Sequence, residues 1–195
     1  SKSRSLDNAI IKQKYLLNGL SMMQRKEILT WNDVDQLIDH LIPQFETEFD
    51  AMIMVTHGGI IPGGLISEAL RLDTILTAAV DFPNEMQLED ERKKGRLLAW
   101  PKFVQFPEDS LLDGKRVLVV DDVWGSGRTI TAVRNRVVSA GGQAYTCVLH
   151  FNPYRNLFGN IRPDYFAAIT DAYILYPWEI NRGPDVVMLQ GGGHE

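Results

Sequence analysis

Two adjacent carboxylates, Asp121 and Asp122, follow an apolar run and precede a loop of small and hydroxyl residues in "VLVVDDVWGSGRT", residues 117–129. Val117 to Val120 suit a strand buried in a core, whereas two successive acids cannot both enter one apolar face, because side chains alternate along a strand. The pair therefore belongs at the rim of a sheet, where the strand ends. Gly125 and Gly127 permit close approach and unusual backbone angles, and Ser126 and Thr129 add hydroxyls. A helix starting after them would turn backbone N–H groups toward an anion. A monophosphate with neighbouring sugar hydroxyls would use both halves of this arrangement. The same residues also read as an ordinary strand end and flexible turn with no ligand. Neither GxxxxGK[ST] nor GxGxxG occurs here, which sets aside a Walker A loop and a dinucleotide fingerprint.

These groups need a frame. Alternating strand and helix signals supply one. "DAMIMVTHGG", residues 50–59, reads as a strand running into a glycine turn, and "IIPGGLISEALRL" as the helix after it. Earlier, "LTWNDVDQLIDHLIPQF" places Thr30 before a helix whose Val34, Leu37, Ile38, Leu41 and Ile42 share a face, with Pro43 near its end. "TILTAAVDF", "KRVLVVDDV", "QAYTCVLHF" and "PDYFAAI" read as further strands, and "LLAWPKFVQF" as a strand or edge hairpin. "TITAVRNRVVSAG" reads as a helix closed by Gly141. Pro83 to Gly95 reads as an exposed loop, and the spacing from Ile10 to Met23 predicts one more helix. The pattern gives an α/β fold: a parallel sheet flanked by helices, with ligands collecting beyond the carboxyl ends of the strands, where the loops at Thr56 and Asp121 begin. Neither a repeat nor a second domain is visible.

The chain has 195 residues, 45% hydrophobic and 23% charged, and a formal net charge of −5. It is expected to fold around one core. Its short basic cluster, Arg92 to Lys94, sits against Glu89 to Glu91, so it lacks the basic face that a nucleic-acid backbone requires. Cys147 has no cysteine to pair with, no apolar run approaches a membrane span, and "SKSRSLDN" lacks the pattern of a secretory signal. A cytoplasmic protein without membrane or nucleic-acid partners is expected.

"VLVVDDVWGSGRT" resembles the ribose-phosphate motif of the type I phosphoribosyltransferases. The likeness extends over roughly residues 28–180, through the TW helix start, the strand leading to "HGGIIPGG" and the late segment "YILYPWEI", where it is strongest to the bacterial xanthine-guanine enzymes. Residues 1–27 fall outside the likeness and are expected to form a helical extension, while the resemblance implies residues 28–195 as the phosphoribosyltransferase-like domain, with a small hood at 81–102. It implies that Asp121 and Asp122 hold the sugar hydroxyls of phosphoribosyl pyrophosphate, with Asp122 also a ligand of Mg²⁺. Gly125, Ser126, Gly127, Arg128 and Thr129 would bind the 5-phosphate, and Thr56, His57, Gly58 and Gly59 the pyrophosphate. Asn152, Tyr173, Ile174 and Glu179 would face the base. The activity implied is transfer of the 5-phosphoribosyl group to a nitrogenous base, a purine by the nearest likeness, with release of pyrophosphate. The partners would be small-molecule substrates, and a homodimer or homotetramer is expected.

The chain departs from that pattern at defined points. His57 stands where the family enzyme has arginine, so one neutral donor replaces a charged fork. Gly125 stands where 6-oxopurine enzymes carry an acid proposed to accept the base's proton, and glycine can accept none. Asn152 replaces a lysine, Tyr173 a stacking tryptophan and Glu179 an aspartate. Trp124 either packs beneath the loop or stacks on a base, and Tyr173, Trp178 and Phe151 are either base platforms or core aromatics. The hood segment is longer than the family's and lacks its serine-tyrosine pair. Loss of the acid and of the arginine keeps a second function open: a non-catalytic regulatory protein that binds phosphoribosyl pyrophosphate or a nucleotide. A purely structural protein would leave the acidic strand end and phosphate-sized loop without a purpose.

Overall fold

Residues 51–55 and 117–120 are buried at every position, which only an interior strand of a sheet covered on both faces allows. The structure is a computed structural model that describes residues 25–82 and 101–180. In chain order the elements are β1 (Lys26–Ile28), α1 (Trp31–Leu41), β2 (Ala51–Val55), α2 (Ile60–Leu70), β3 (Ile75–Asp81), β4 (Lys102–Gln105), β5 (Arg116–Trp124), α3 (Arg128–Ser139), β6 (Gln143–Phe151), β7 (Tyr165–Ile169) and β8 (Tyr173–Leu175). The helix expected at 10–23 and the loop expected at 83–95 lie outside the described residues.

The chain groups into two compact units, residues 31–170 and residues 1–30 with 171–195. The larger holds a six-stranded sheet in the order β4-β3-β2-β5-β6-β7. All neighbours are parallel except β4, which pairs antiparallel with β3 as an edge strand and brings Asp81 opposite Lys102, so the two ends of the 81–102 segment meet. Ala51, Ile53 and Val55 share a core with Val117, Val119 and, from α3, Ile130, Val133 and Val137. An added carbon on Gly63 of α2 would instead meet Met54, which points the other way. Because alternate residues of a strand face opposite sides, α2 and α3 cover opposite faces of the sheet. Val117 to Val120 are each 0% exposed, and burying one such side chain contributes about 1.5–3 kcal/mol, which holds β5 firmly in the sheet.

Local sequence explains the helices. Val34, Ile38 and Leu41 form the buried stripe of α1, with Asp33 in its first turn and His40 in its last, both favourable to the helix dipole. Pro62 is tolerated in α2 because first-turn N–H groups have no helical partner. Gly141, at φ +85°, ends α3 as expected: its N–H and that of Gly142 donate to Val138 O and Val137 O, both at 3.0 Å. At the opposite end of the sheet, Arg116 donates through its backbone N, Nε and Nη2 to the Asp50 carboxylate at 2.8, 3.0 and 3.1 Å, tying the start of β5 to the residue before β2.

The smaller unit is a different construction. Lys26, Glu27 and Ile28 of β1 pair in parallel with Tyr173, Ile174 and Leu175 of β8. Arg25 forms an ion pair with Asp171 at 2.7 Å and its carbonyl accepts the Tyr173 N–H, also at 2.7 Å. A short turn, Pro177–Glu179, follows, with Tyr176 stacked on Trp178 at 4.5 Å. The sequence reading had neither β1 nor this grouping of residues from the two ends of the chain.

Candidate active site

β2 and β5 are adjacent and parallel, with Met54 opposite Val120, so the loops that follow them rise side by side from the same edge. The first loop, residues 56–59, begins where Thr56 N–H donates to Ala78 O at 2.9 Å. His57 is exposed, and the Thr56–His57 peptide is cis. Gly59 is buried against backbone: an added carbon there would collide with Val120 O and Val55. Its N–H donates to Val55 O at 2.7 Å, so an anion at this loop would meet the N–H groups of His57 and Gly58 instead. A carbon added to Gly58 would stand 2.5 Å from Asp122 Oδ1 and 2.7 Å from Asp121 Oδ1. The glycines thus let the loop lie directly on the acid pair.

The pair itself differs from the sequence reading in two respects. β5 does not end at the acids but runs on to Trp124, because β6 continues to offer partners: Val123 lies opposite His150 and Trp124 opposite Phe151. The two carboxylates also converge rather than diverge. Asp121 folds back so that its Oδ1 accepts the Asp122 N–H at 3.0 Å, which overrides strand alternation at the rim. Both acids are half-buried. Burial first, and then the charge of Asp122, raises the Asp121 carboxyl well above the usual carboxylate range.

Beyond the acids the loop turns into α3. Gly127 has φ +80° and ψ 0°, a conformation that glycine adopts without strain, and it caps the helix. Ser126 Oγ accepts the Arg128 N–H at 3.4 Å. The first N–H groups of α3 have no helical acceptors and, with the dipole, favour an anion before them. Thr129 stands in that first turn. The Arg128 guanidinium lies 4.4 Å from the Phe82 ring centroid, so its side chain is engaged in a cation–π contact rather than laid along the loop. A carbon added to Gly125 would meet nothing within 4 Å.

Of the two readings for Trp124, packing holds: its ring is 0% exposed and makes an edge contact with Phe151, itself a core residue. Asn152, next in the chain, is also buried, and its backbone N–H donates to Trp124 O at 2.9 Å. Its Oδ1 accepts the N–H groups of Tyr154 and Arg155 at 3.1 and 3.3 Å, so a contact to a base would fall to its Nδ2. Tyr173, Ile174 and Glu179 belong to the smaller unit. There Tyr173 is exposed, Ile174 is buried, and Glu179 Oε2 accepts the Tyr176 N–H at 2.8 Å. Sequence reasoning missed Asn156, which holds the Trp124 indole; a single asparagine in a polar loop carries no signal by which to find it.

The family model for the phosphoribosyl transferase domain matches residues 24–158, a span containing both loops and the acid pair. The chain belongs to the phosphoribosyltransferase family. A xanthine-guanine phosphoribosyltransferase from Cereibacter sphaeroides is 27% identical over 134 residues, which cover 67% of this chain and 69% of that protein. Among solved structures, a purine phosphoribosyltransferase from Pyrococcus horikoshii Ot3 has a TM-score of 0.66 at 28% identity, over 81% of this chain and 97% of its own. A Neisseria gonorrhoeae protein solved with bound ppGpp also has a TM-score of 0.66, at 26% identity, over 88% of this chain and 99% of its own. The phosphoribosyltransferase is therefore an enzyme of small-molecule substrates. Among the described residues no helix is long and apolar enough to cross a membrane.

Proposed function

We propose that this phosphoribosyltransferase transfers the 5-phosphoribosyl group of phosphoribosyl pyrophosphate to a purine, with Mg²⁺ as the accompanying cation. The observation that carries the reading is the convergence at Gly58, where a glycine loop suited to an anion touches two carboxylates suited to sugar hydroxyls. The purine follows from the relatives: two are named for purine substrates, and a third holds ppGpp, a guanine nucleotide.

In this reading Asp121 and Asp122 accept hydrogen bonds from the ribose 2- and 3-hydroxyls, residues 125–129 hold the 5-phosphate, and Thr56 to Gly59 hold the pyrophosphate. A ring nitrogen of the base attacks C1 as the bond from C1 to pyrophosphate breaks, and the positive charge that develops on the sugar lies over the acid pair. Gly125 accepts no proton, so the chain's contribution is positioning, and the base loses its proton to water. Asn152 Nδ2, Tyr173, Ile174 and Glu179 are assigned to the base.

The donors suit Mg²⁺. This cation commonly takes one or two carboxylates and completes its shell with substrate oxygens and water, and no cluster of three His, Cys, Asp or Glu gathers among the described residues. Asp122 would hold it, and the cation would neutralise charge on the departing pyrophosphate. Assembly as a homodimer or homotetramer is part of the same reading. The apolar helix α2, with Ile60 41% and Leu65 38% exposed, supports it.

The deciding experiment is pyrophosphate release from phosphoribosyl pyrophosphate with Mg²⁺ against guanine, xanthine, hypoxanthine, adenine, orotate and uracil. Purine-dependent release that vanishes when Asp121→Asn and Asp122→Asn are combined is the expected result. Release with orotate or uracil alone would overturn the purine assignment, and binding without release under every base would favour a regulatory role.

A further inference from the structure

The loop that begins α3 is braced from the outside. Trp124 Nε1 donates to Asn156 Oδ1 at 3.2 Å, and the same oxygen accepts the Phe158 N–H at 3.2 Å. Asn156 Nδ2 donates to Gly159 O at 3.2 Å and Ile161 O at 2.7 Å. The amide thereby uses two acceptor sites and both donor hydrogens, and turning it over would set donors against donors and oxygen against two carbonyls. Its orientation is fixed, and with it the oxygen presented to the indole.

The indole in turn sets the loop. Gly127 lies so close to its edge that an added carbon would collide with Trp124 Nε1 and Cε2. One residue away, Ser126 O accepts the Leu157 N–H at 3.1 Å, so the residue following Asn156 grips the loop directly. The ring below and the amide beside it hold residues 126 and 127, and these carry the turn that aims the first N–H groups of α3.

We propose that Asn156 is a positioning residue for the 5-phosphate: it fixes the Trp124 ring and the Leu157 N–H, which together set the 125–129 backbone against the phosphate. The inference rests on the phosphoribosyl reading of that loop. Asn156 lies outside the 125–129 loop and acts on it through Trp124 and the Leu157 N–H, so its loss acts on one end of the ligand. The other end, held at Thr56 to Gly59, is supported by β2, β3 and β5 instead.

The test compares the full-length chain with Asn156→Ala and Trp124→Phe, after far-UV circular dichroism and thermal unfolding have established that each is folded. Calorimetric binding of ribose 5-phosphate and of inorganic pyrophosphate is measured separately, alongside kcat and the KM for phosphoribosyl pyrophosphate. Asn156→Ala is expected to weaken ribose 5-phosphate about tenfold and raise that KM similarly, with pyrophosphate affinity and kcat within about twofold. Trp124→Phe keeps an aromatic ring but loses both the indole N–H and the part of the ring that lies under Gly127. It is expected to weaken ribose 5-phosphate about threefold, and it carries the test alone if the alanine variant does not fold. Unchanged ribose 5-phosphate affinity in the folded variants overturns the proposal, as does equal weakening of both ligands. A wild-type chain that does not bind ribose 5-phosphate overturns the phosphoribosyl reading and this inference with it, whereas wild-type binding that the variants preserve overturns this inference alone.

Discussion

A carbon added to Gly58 would stand 2.5 Å from Asp122 Oδ1, so the first glycine loop and the acid pair occupy one site. Gly58→Ala would force the carboxylates aside at the rim, where little of the core is disturbed. The expected outcome is a loss of about 10²-fold in kcat/KM for phosphoribosyl pyrophosphate, the usual consequence of displacing a reacting group by an ångström. Steady-state kinetics check this, and a value within about threefold of wild type would separate the loop from the acids in function.

Asp121 gives a pH dependence with a definite sign. Its folded-state carboxyl is raised by burial and by Asp122, so the native chain holds that proton more tightly than the unfolded one. The resulting stability is fully present below the ordinary carboxylate range and is lost as pH rises through the raised value. Asp122→Asn removes the neighbouring charge, so it is expected to raise the thermal midpoint of the ligand-free chain near neutral pH while abolishing turnover. Thermal unfolding across pH tests the first half, and a midpoint at or below that of wild type would count against it.

Gly125 faces open space, so an acid can be placed there without displacing anything. Gly125→Asp is expected to change the stability by no more than the roughly 0.5 kcal/mol typical of surface changes, read from thermal unfolding. If proton transfer from the base limits the reaction, turnover with guanine or hypoxanthine rises by about 10- to 10²-fold. A rate unchanged at every pH would show that the base arrives already deprotonated.

Asp50 titrates far from the site. Hydrogen bonds from the Arg116 side chain and then its backbone lower the Asp50 carboxyl to about 2. Because the folded value lies below the ordinary one, this pair stabilises the chain above the usual carboxylate range and ceases to do so as pH falls through about 2. Asp50→Asn should therefore unfold more readily than wild type at neutral pH, with the difference closing in strong acid. Acid titrations followed by circular dichroism would reveal a gap that persists instead.

The sheet and its helices were legible where one residue's surroundings repeat. Val34, Ile38 and Leu41 recur at helical spacing, "MIMV" and "VLVV" are continuous because both faces are covered, and Gly141 marks a stop that only a left-handed residue makes easily. Partnerships distant in sequence were not legible. β1 is three exposed residues, "KEI", without any period, and it exists through pairing with β8 at the other end of the chain. Within the site, the residue types at 56–59 and 121–129 were readable. The inward fold of Asp121, the commitment of Gly59 N–H to Val55 and the stacking of Arg128 on Phe82 depend on neighbours brought close by the fold.

That β2 and β5 are hydrogen-bonded neighbours gives the molecule a ruler. At Met54 and Val120, one residue short of the end of β2 and of the acid pair, the gap is one interstrand spacing, about 4.8 Å, a length fixed by peptide geometry and independent of side-chain identity. A cleft between two helices changes width whenever its packing changes, but this one does not. Substitutions can therefore accumulate around it, and acceptor preference can drift, while the interval between the first loop and the acid pair stays constant. Efforts to redirect the enzyme to another acceptor belong outside residues 56–59, 121 and 122, where chemistry can vary without disturbing that interval, as the open space at Gly125 allows.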